Sequence, residues 1–96
     1  MNALLIGAIK ERKLVELRYH GFSRFVESHA YGRDKDGGEI LRCFQTSGGS
    51  DSGAQSGWKL LKVAEAFSIQ ASEQKFTQRA GYQKNDKAME YIFAQL

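Results

Sequence analysis

Three strand-like segments follow one another in residues 14–45, which read LVELRYHGFSRFVESHAYGRDKDGGEILRCFQ. Apolar and polar side chains alternate over residues 14–20, and residues 25–31 and 40–45 read as two further strands. Alternation with a period of two is typical of a half-buried strand. Asp36-Gly37, between the second and third segments, is a strong hairpin signal. The sequence therefore predicts consecutive antiparallel strands in this part of the chain.

The flanking segments have local patterns of their own. Apolar residues four apart predict an N-terminal helix, for which Asn2 is a suitable cap. Asn85 could cap a C-terminal helix whose apolar stripe would be Met89, Ile92, Phe93 and Leu96. The predicted elements are a helix at 3–12, a Ser- and Gly-rich loop at 46–57, strands at 58–63 and 66–71, an irregular segment at 72–84, and the helix after Asn85.

Length and composition define the class of protein. A chain of 96 residues suits a single domain, here residues 1–96. Hydrophobic residues make up 42% and charged residues 26% of the chain. Such a composition excludes collagen-like, coiled-coil and largely disordered chains. The chain has no proline, so proline-rich recognition segments are excluded as well. Five short antiparallel strands usually roll into a partly open barrel, and we expect a mainly β domain with a helix at each end.

Charge and cysteine content indicate the surroundings of the chain. The formal net charge is +3, with the positive excess in residues 1–20 and 58–79. This balance permits a nucleic-acid partner without requiring one. Cys43 is the only cysteine, so no intrachain disulfide forms and we expect a reducing, cytoplasmic setting. The apolar run at residues 3–9 is too short to cross a bilayer and follows no basic segment, so we expect neither a membrane partner nor a signal peptide.

The order of these motifs resembles a known family, the WYL domain. A basic helix end leads into a strand that ends at Tyr19, Arg24-Phe25-Val26-Glu27 opens the next strand, and Trp58-Lys59-Leu60 begins a late strand. Glu39-Ile40-Leu41 stands where the name-giving Trp-Tyr-Leu lies in the family. The resemblance covers about residues 5–69 and is strongest to small stand-alone bacterial members.

The resemblance implies both a fold and a role. WYL domains are small Sm/SH3-like barrels, so a five-stranded antiparallel barrel of that type is expected here. In the family these domains usually follow a winged-helix DNA-binding domain, act as sensors or oligomerisation modules, and in several cases are thought to bind nucleic acid or nucleotides. No such DNA-binding domain is found in this sequence, so we expect a ligand-binding or accessory module rather than a transcription factor that acts alone.

Polar and aromatic residues on the predicted strands are the candidates for ligand binding. Small barrels bind nucleic acid by combining aromatic stacking with cationic side chains. Arg42 lies beside apolar neighbours and needs either a partner, for which Glu27 is a candidate, or an anionic ligand. The alternative for the aromatic residues is a place in the core or at its rim. The candidate ligand-binding residues are His29, Tyr31, Arg42, Gln45, Trp58, Lys59 and Lys62.

Catalytic and metal chemistry find little support in the sequence. No nucleophile and base can be placed together, and His20, His29 and Cys43 lack the short-range spacing of metal ligands. The loop at 46–57 either presents backbone N–H groups to an anion or is a mobile connection. We therefore expect a non-enzymatic module without a cofactor that binds single-stranded nucleic acid or a nucleotide. The alternative is a protein-interaction or homodimerisation module that uses either an open edge of the barrel or the C-terminal apolar stripe.

Overall fold

One helix is followed by six strands in the structure, a computed structural model that describes residues 1–53 and 55–96. Asn2 caps the helix, because its side-chain Oδ1 accepts a hydrogen bond of 3.1 Å from the Leu5 N–H. The elements are α1 (Ala3–Lys10), β1 (Lys13–Tyr19), β2 (Phe22–Arg33), β3 (Glu39–Gly48), β4 (Gly57–Lys62), a 3₁₀ turn (Val63–Glu65), β5 (Ala66–Lys75) and β6 (Tyr91–Gln95).

The strands form one antiparallel sheet in the order β4-β3-β2-β1-β5, with β6 added to β2. This confirms the prediction of a mainly β chain with an N-terminal helix and an antiparallel sheet. Among the described residues β4 and β5 lie at the two ends of the path and do not pair with each other, so the sheet is not closed. The predicted Asp-Gly hairpin joins β2 to β3, where the Asp34 carboxylate accepts hydrogen bonds from the Asp36 and Gly38 N–H groups.

The 12-residue strand β2 is the centre of the sheet. Its first half pairs with β1, its last four residues pair with β6, and β3 runs along its other edge. A register shift between Ser28 and Ala30 leaves His29 without a partner on β3, which is a bulge. His29 and Ala30 consequently contact Tyr82 and Met89, whereas Tyr31 packs in a separate core cluster.

The main core lies between one face of the sheet and α1. Leu5 and Ile9 of the helix pack on inward-facing strand residues, among them Val15, Leu17 and Leu41. Cys43 belongs to this core as well. Burial raises the pKa of its thiol to about 12, so it behaves as a small hydrophobe.

A second, smaller core lies under residues 76–90, which we call the strap. The strap has no regular secondary structure and crosses the opposite face of β2 and β3. Met89 packs there against Ala30 and Ile40, with Tyr82 and Ile92 beside them. The strap therefore belongs to the folded domain and covers what would otherwise be an exposed sheet face.

The prediction of a C-terminal helix is wrong, because Tyr91–Gln95 forms strand β6. The apolar spacing at residues 89, 92, 93 and 96 fits a helical stripe, but β2 offers free backbone groups beside Ala30–Arg33 that only a strand can use. The Leu96 N–H donates to the His29 carbonyl over 2.9 Å at the end of this pairing. Met89 is buried, and Ile92, Phe93 and Leu96 are partly buried against the two core clusters, so the four residues do not form a helical stripe on the surface.

Two other boundaries differ from the expectation. Thr46–Gly48 extends β3 and Gly57 begins β4, so the loop predicted at 46–57 spans residues 49–56, with Ala54 outside the described residues. Ser72–Lys75 continues β5 into the segment expected to be irregular. Within the described ranges, no helix has the length and apolar character needed to cross a membrane.

Candidate functional site

A cleft of about 320 Å³ lies between the sheet and the strap, and we call it the Trp58 cleft. The sheet contributes Arg42 from β3 and Trp58 from β4. The strap contributes seven consecutive residues, 81–87, which include Tyr82, Lys84 and Lys87. The cleft therefore combines two aromatic side chains with three cationic ones.

Strand pairing places Trp58 at the floor of the cleft. Trp58 lies opposite Phe44 across the β3–β4 pair, and the two rings meet edge to face with centroids 5.5 Å apart. Tyr82 of the strap lies beside it, with the ring centroids 6.3 Å apart and the planes inclined by 29°. Such pairs form a wall of ring faces and edges on which a planar group can stack.

His29 supports Trp58 from below and has no exposed surface. The centroids of the two rings lie 4.8 Å apart in an edge contact. Nδ1 of His29 lies 2.8 Å from the Glu27 carbonyl, to which it donates, and Nε2 accepts a 3.0 Å bond from the Arg79 N–H. Burial lowers the pKa of His29, so the ring is neutral at neutral pH. With both nitrogens engaged, His29 holds the cleft in place and does not reach a ligand.

Two ion pairs fasten the strap to the sheet. Arg42 meets Asp86 through Nε–Oδ2 and Nη2–Oδ1 distances of 2.6 and 3.4 Å. Arg79 meets Glu27 through two bonds of 3.1 Å, and its guanidinium lies 4.1 Å above the Phe44 ring. Glu27 was the expected partner of Arg42, but it faces Arg79 because the strap, and not β3, covers it.

The electrostatic character of the cleft is cationic. The Arg42 hydrogen bond lowers the pKa of Asp86, so this carboxylate is ionised at neutral pH and neutralises one of the three cations. Among the described residues neither Lys84 nor Lys87 forms an ion pair. Burial raises the pKa of Tyr82, which keeps its hydroxyl protonated as a hydrogen-bond donor.

The seven predicted ligand residues separate into three groups in the structure. Arg42 and Trp58 line the cleft, and His29 lies beneath it. Tyr31 and Gln45 are fully buried in the inner side of the sheet, and Lys59 and Lys62 lie outside the cleft lining.

The buried pair has internal partners instead of a ligand. The Tyr31 hydroxyl donates to the Glu39 carboxylate and accepts a 2.6 Å bond from the Asn2 N–H. Burial, helped by Glu39, raises the pKa of Tyr31 to about 12. The Gln45 amide donates to the carbonyls of Gly49 and Gln55 over 3.3 and 3.1 Å, which holds the two ends of the loop together.

The strap residues of the cleft were missed by the sequence reading. The sequence pattern predicts an irregular segment that includes Tyr82 and Lys84, and a helix capped by Asn85 that includes Lys87. One local signal was available, because Asn85 adopts a φ of 62°. This is a left-handed conformation for which Asn is well suited, and it interrupts a helix. An aromatic residue followed by several charges beside such a residue is typical of a binding loop.

Metal chemistry has no obvious place in this arrangement. Within residues 1–53 and 55–96, no group of three or more His, Cys, Asp or Glu side chains is arranged to hold a metal ion. His20 lies apart from His29 and bridges two carboxylates, Asp51 at 2.6 Å and Glu65 at 2.5 Å.

Comparison of the chain with protein-family models, with curated proteins and with solved structures finds no match in any of the three. The functional argument therefore depends on the geometry and the charge of the cleft.

Proposed function

We propose that the Trp58 cleft binds an anionic ligand that carries a planar ring, either a nucleotide or one nucleotide of a single strand, and that the protein is a non-enzymatic binding module. The observation that carries this proposal is the juxtaposition of Trp58 and Tyr82 with Arg42, Lys84 and Lys87 in one open cleft. Stacking of a base on an aromatic ring contributes about 1–3 kcal/mol, and cationic side chains add a salt-dependent attraction for phosphate.

The size of the cleft favours a small ligand over a duplex. Its volume is about 320 Å³. Ligand pockets run from about 300 to about 1000 Å³, so this one lies at the lower end of the range. One base with its sugar and phosphate fits such a volume, whereas a double helix presents its bases in a stack that a cleft of this size does not admit. A single strand would place one base in the cleft and its phosphates along Lys84 and Lys87.

The fold supports the same class of function. The strand order β4-β3-β2-β1-β5 and the 3.0 Å bond from the Lys62 N–H to the Tyr19 hydroxyl, which ties β1 to the end of β4, support a sheet rolled into a small Sm/SH3-like barrel. We propose this rolled form and a WYL-like character for the chain, in keeping with the resemblance of its sequence. Small barrels of this kind bind nucleic acid on an open face.

The chain offers a direct probe, because Trp58 is its only tryptophan. We expect quenching of Trp58 fluorescence when a nucleoside monophosphate or a short single-stranded oligonucleotide is added. Anisotropy with labelled single-stranded DNA and RNA at about 50 and 200 mM salt measures the affinity and its salt dependence. Binding should weaken steeply as the salt concentration rises.

Matched variants separate the cleft from general basicity. Replacing both Lys84 and Lys87 with Ala should reduce the slope of log K against log salt by about 2, one for each lost phosphate contact. Replacing Lys10 and Arg18, two exposed cations outside the cleft, removes the same charge and should leave affinity nearly unchanged. Equal losses in the two double variants, or no binding by the wild type at about 50 mM salt, would overturn the proposal.

Trp58 itself tests the stacking contribution. Trp58→Leu should weaken binding by about 1–3 kcal/mol, roughly 5- to 150-fold. Because Trp58 also packs on His29 and Phe44, circular dichroism of the variant must first show an intact fold. An intact variant that binds as tightly as the wild type contradicts stacking in the cleft.

The alternative of a protein-interaction module loses one of its two candidate surfaces, the apolar stripe, whereas the sheet edges at β4 and β5 stay open among the described residues. Met89, Ile92, Phe93 and Leu96 are occupied within the two cores and do not form an exposed stripe. The cleft is therefore the better supported site.

A further inference from the structure

Arg24 is a buried cation near the start of β2, outside the lining of the Trp58 cleft. Only 3% of its surface is exposed. An arginine side chain keeps its charge at any ordinary pH, so burial does not neutralise it. Among the described residues no carboxylate forms an ion pair with Arg24. A buried charge without a counter-charge is costly, and such residues are almost always paired.

The hydrogen bonds of Arg24 are few and long. Its Nη1 donates to Oε1 of Gln45 over 3.4 Å, and its Nη2 donates to the Tyr19 carbonyl over 3.2 Å. Hydrogen bonds of charged nitrogen donors to carboxylate or phosphate are usually about 2.7–2.9 Å. Nε of Arg24 is buried and has no hydrogen-bond partner in residues 1–53 and 55–96. The Nε–H group of the guanidinium therefore has no acceptor among the described residues.

The aromatic neighbours offset only part of this charge. The guanidinium lies 5.0 Å from the Tyr19 ring centroid and 5.8 Å from that of Phe22. Cation–π contacts of this kind attract the charge, but the rings do not accept the N–H groups that lie in the plane of the guanidinium. The unused donors of Arg24 are therefore unexplained by its present surroundings.

The serine hydroxyls of the loop at residues 49–56 contact Lys59 and each other, and its carboxylate is engaged by His20. Asp51 of the loop and Glu65 beyond β4 are both engaged by His20. Lys59 reaches the loop from β4, with its Nζ 3.3 Å from Oγ of Ser50. Ser50 and Ser52 have their hydroxyl oxygens 2.9 Å apart. Cations and hydroxyl donors at this end of the sheet suit an anion.

The Gln45 side chain links Arg24 to this loop. Gln45, which accepts the long bond from Arg24, also holds the carbonyls of Gly49 and Gln55 at the base of the loop. An anion oxygen can replace Oε1 of Gln45 on the guanidinium when these two bonds open. The exchange would give Arg24 short, charge-assisted bonds in place of a 3.4 Å contact.

We propose that Arg24, with the Gln45 amide beside it, forms a second binding site for a small tetrahedral oxyanion of the phosphate type near the start of β2. The site is separate from the Trp58 cleft and does not depend on the function proposed for it. Its ligand chemistry is a phosphate group, either free or as the monoester of a small molecule.

The first test observes Arg24 directly in the wild-type protein. In ¹⁵N-edited NMR of the arginine Nε–H groups, inorganic phosphate is added at constant ionic strength, with chloride and acetate as comparison anions. We expect the Nε–H signal of Arg24 to shift in a saturable way with phosphate and not with chloride or acetate. An unchanged Arg24 signal, or equal shifts with all three anions, would overturn the proposal.

Variants test the same site by thermal unfolding. Phosphate should raise the melting temperature of the wild type. The Arg24→Met variant should need at least ten times more phosphate for the same increase in melting temperature. Arg18→Met removes an exposed arginine of the adjacent strand. This variant should show the same phosphate-induced increase in melting temperature as the wild type. If Arg24→Met does not fold, the wild-type titration remains decisive. Retention of the full phosphate effect in a folded Arg24→Met protein would contradict the site.

The two sites are distinguished by the double variant of Lys84 and Lys87. We expect it to keep the phosphate response of Arg24, because these lysines line the Trp58 cleft and Arg24 does not. Repeating the titration with a nucleoside monophosphate separates free phosphate from a phosphate monoester. If the Arg24 signal no longer responds to phosphate once Lys84 and Lys87 are replaced, phosphate binds in the cleft and the second site is overturned.

Discussion

His29 illustrates how one inserted residue changes the role of a side chain. A histidine on a regular strand beside Tyr31 would alternate with its neighbours, and the sequence suggested a ligand contact. The bulge instead directs the ring toward the strap, where it bonds to the Glu27 carbonyl and the Arg79 N–H. Its function is to join β2, Trp58 and the strap.

Replacing His29 with Leu should therefore destabilise the protein markedly. The change leaves two backbone groups buried without partners, each at a cost of about 1–3 kcal/mol, so we expect a total loss of about 2–6 kcal/mol. Urea denaturation followed by circular dichroism measures the free energy of unfolding. The control is His20→Leu, where the side chain is 40% exposed and the loss should be much smaller. Similar losses in both variants would contradict the structural role of His29.

Strand β6 depends on a glycine in its neighbour. A Cβ atom on Gly32 would lie 2.1 Å from the Tyr91 carbonyl oxygen and 3.0 Å from Sδ of Met89, so no other residue fits there without a shift of the backbone. Glycine at this position allows β6 to approach β2 closely and allows the strap to end over it.

Gly32→Ala should separate β6 from β2. We expect a loss of about 1–3 kcal/mol from overpacking, together with faster amide exchange at Leu96, whose N–H bonds to β2. Gly7→Ala in α1 is the matched control, because its Cβ would meet only Oε2 of Glu11 at 3.9 Å. That control should gain about 1 kcal/mol, since alanine favours a helix over glycine. A Gly32→Ala protein as stable as the wild type would rule out this close approach.

Gln45 performs a comparable role for the loop at residues 49–56. Gln45→Leu removes the hydrogen bonds to the Gly49 and Gln55 carbonyls and the acceptor for Arg24. We expect faster amide exchange confined to the loop and a loss of about 1–3 kcal/mol, because a buried guanidinium loses a partner. Hydrogen exchange measured by mass spectrometry of peptides covering the loop tests this. Gln55→Leu, an exposed site whose side chain makes none of these bonds, should leave exchange unchanged.

The whole molecule contains two histidines whose titrations oppose each other. Hydrogen bonds to Glu65 and then Asp51 raise the pKa of His20 above its ordinary 6.5. Burial lowers the pKa of His29 below the same value. By linkage, the contribution of His20 is present below pH 6.5 and lost as the pH rises through its raised pKa. The contribution of His29 is full above pH 6.5 and decreases as the pH falls toward its lowered pKa.

We therefore expect thermal stability to reach a maximum near pH 6.5, the ordinary histidine pKa from which both groups depart. Melting temperatures measured from about pH 4 to about pH 9 in steps of about half a unit test this. His20→Gln should flatten the decline on the alkaline side, and His29→Gln the decline on the acid side. A melting temperature that rises steadily through pH 6.5 in the wild type would contradict the assignment of His20.

Local patterns in the sequence were enough to determine α1, the strands β1 to β5 and the hairpin at Asp34–Gly38. Each of these depends on short-range physics: side-chain alternation, a capping Asn2 and turn residues whose conformations the neighbours do not alter. The burial of Cys43 and the exclusion of an intrachain disulfide followed from the same kind of information.

Only the tertiary structure decided β6, the strap and the composition of both sites. The segment at Tyr91–Gln95 fits a helix or a strand by its spacing, and the free edge of β2 selected the strand. Lys84 and Lys87 became cleft residues because the Arg42–Asp86 pair fixes the strap against β3. Arg24 became a buried cation because it packs among Tyr19, Phe22 and Gln45. Periodicity specifies which conformation a segment favours. Contacts between residues distant in sequence depend on something else: the backbone groups and charges that still lack partners after the first strands have paired.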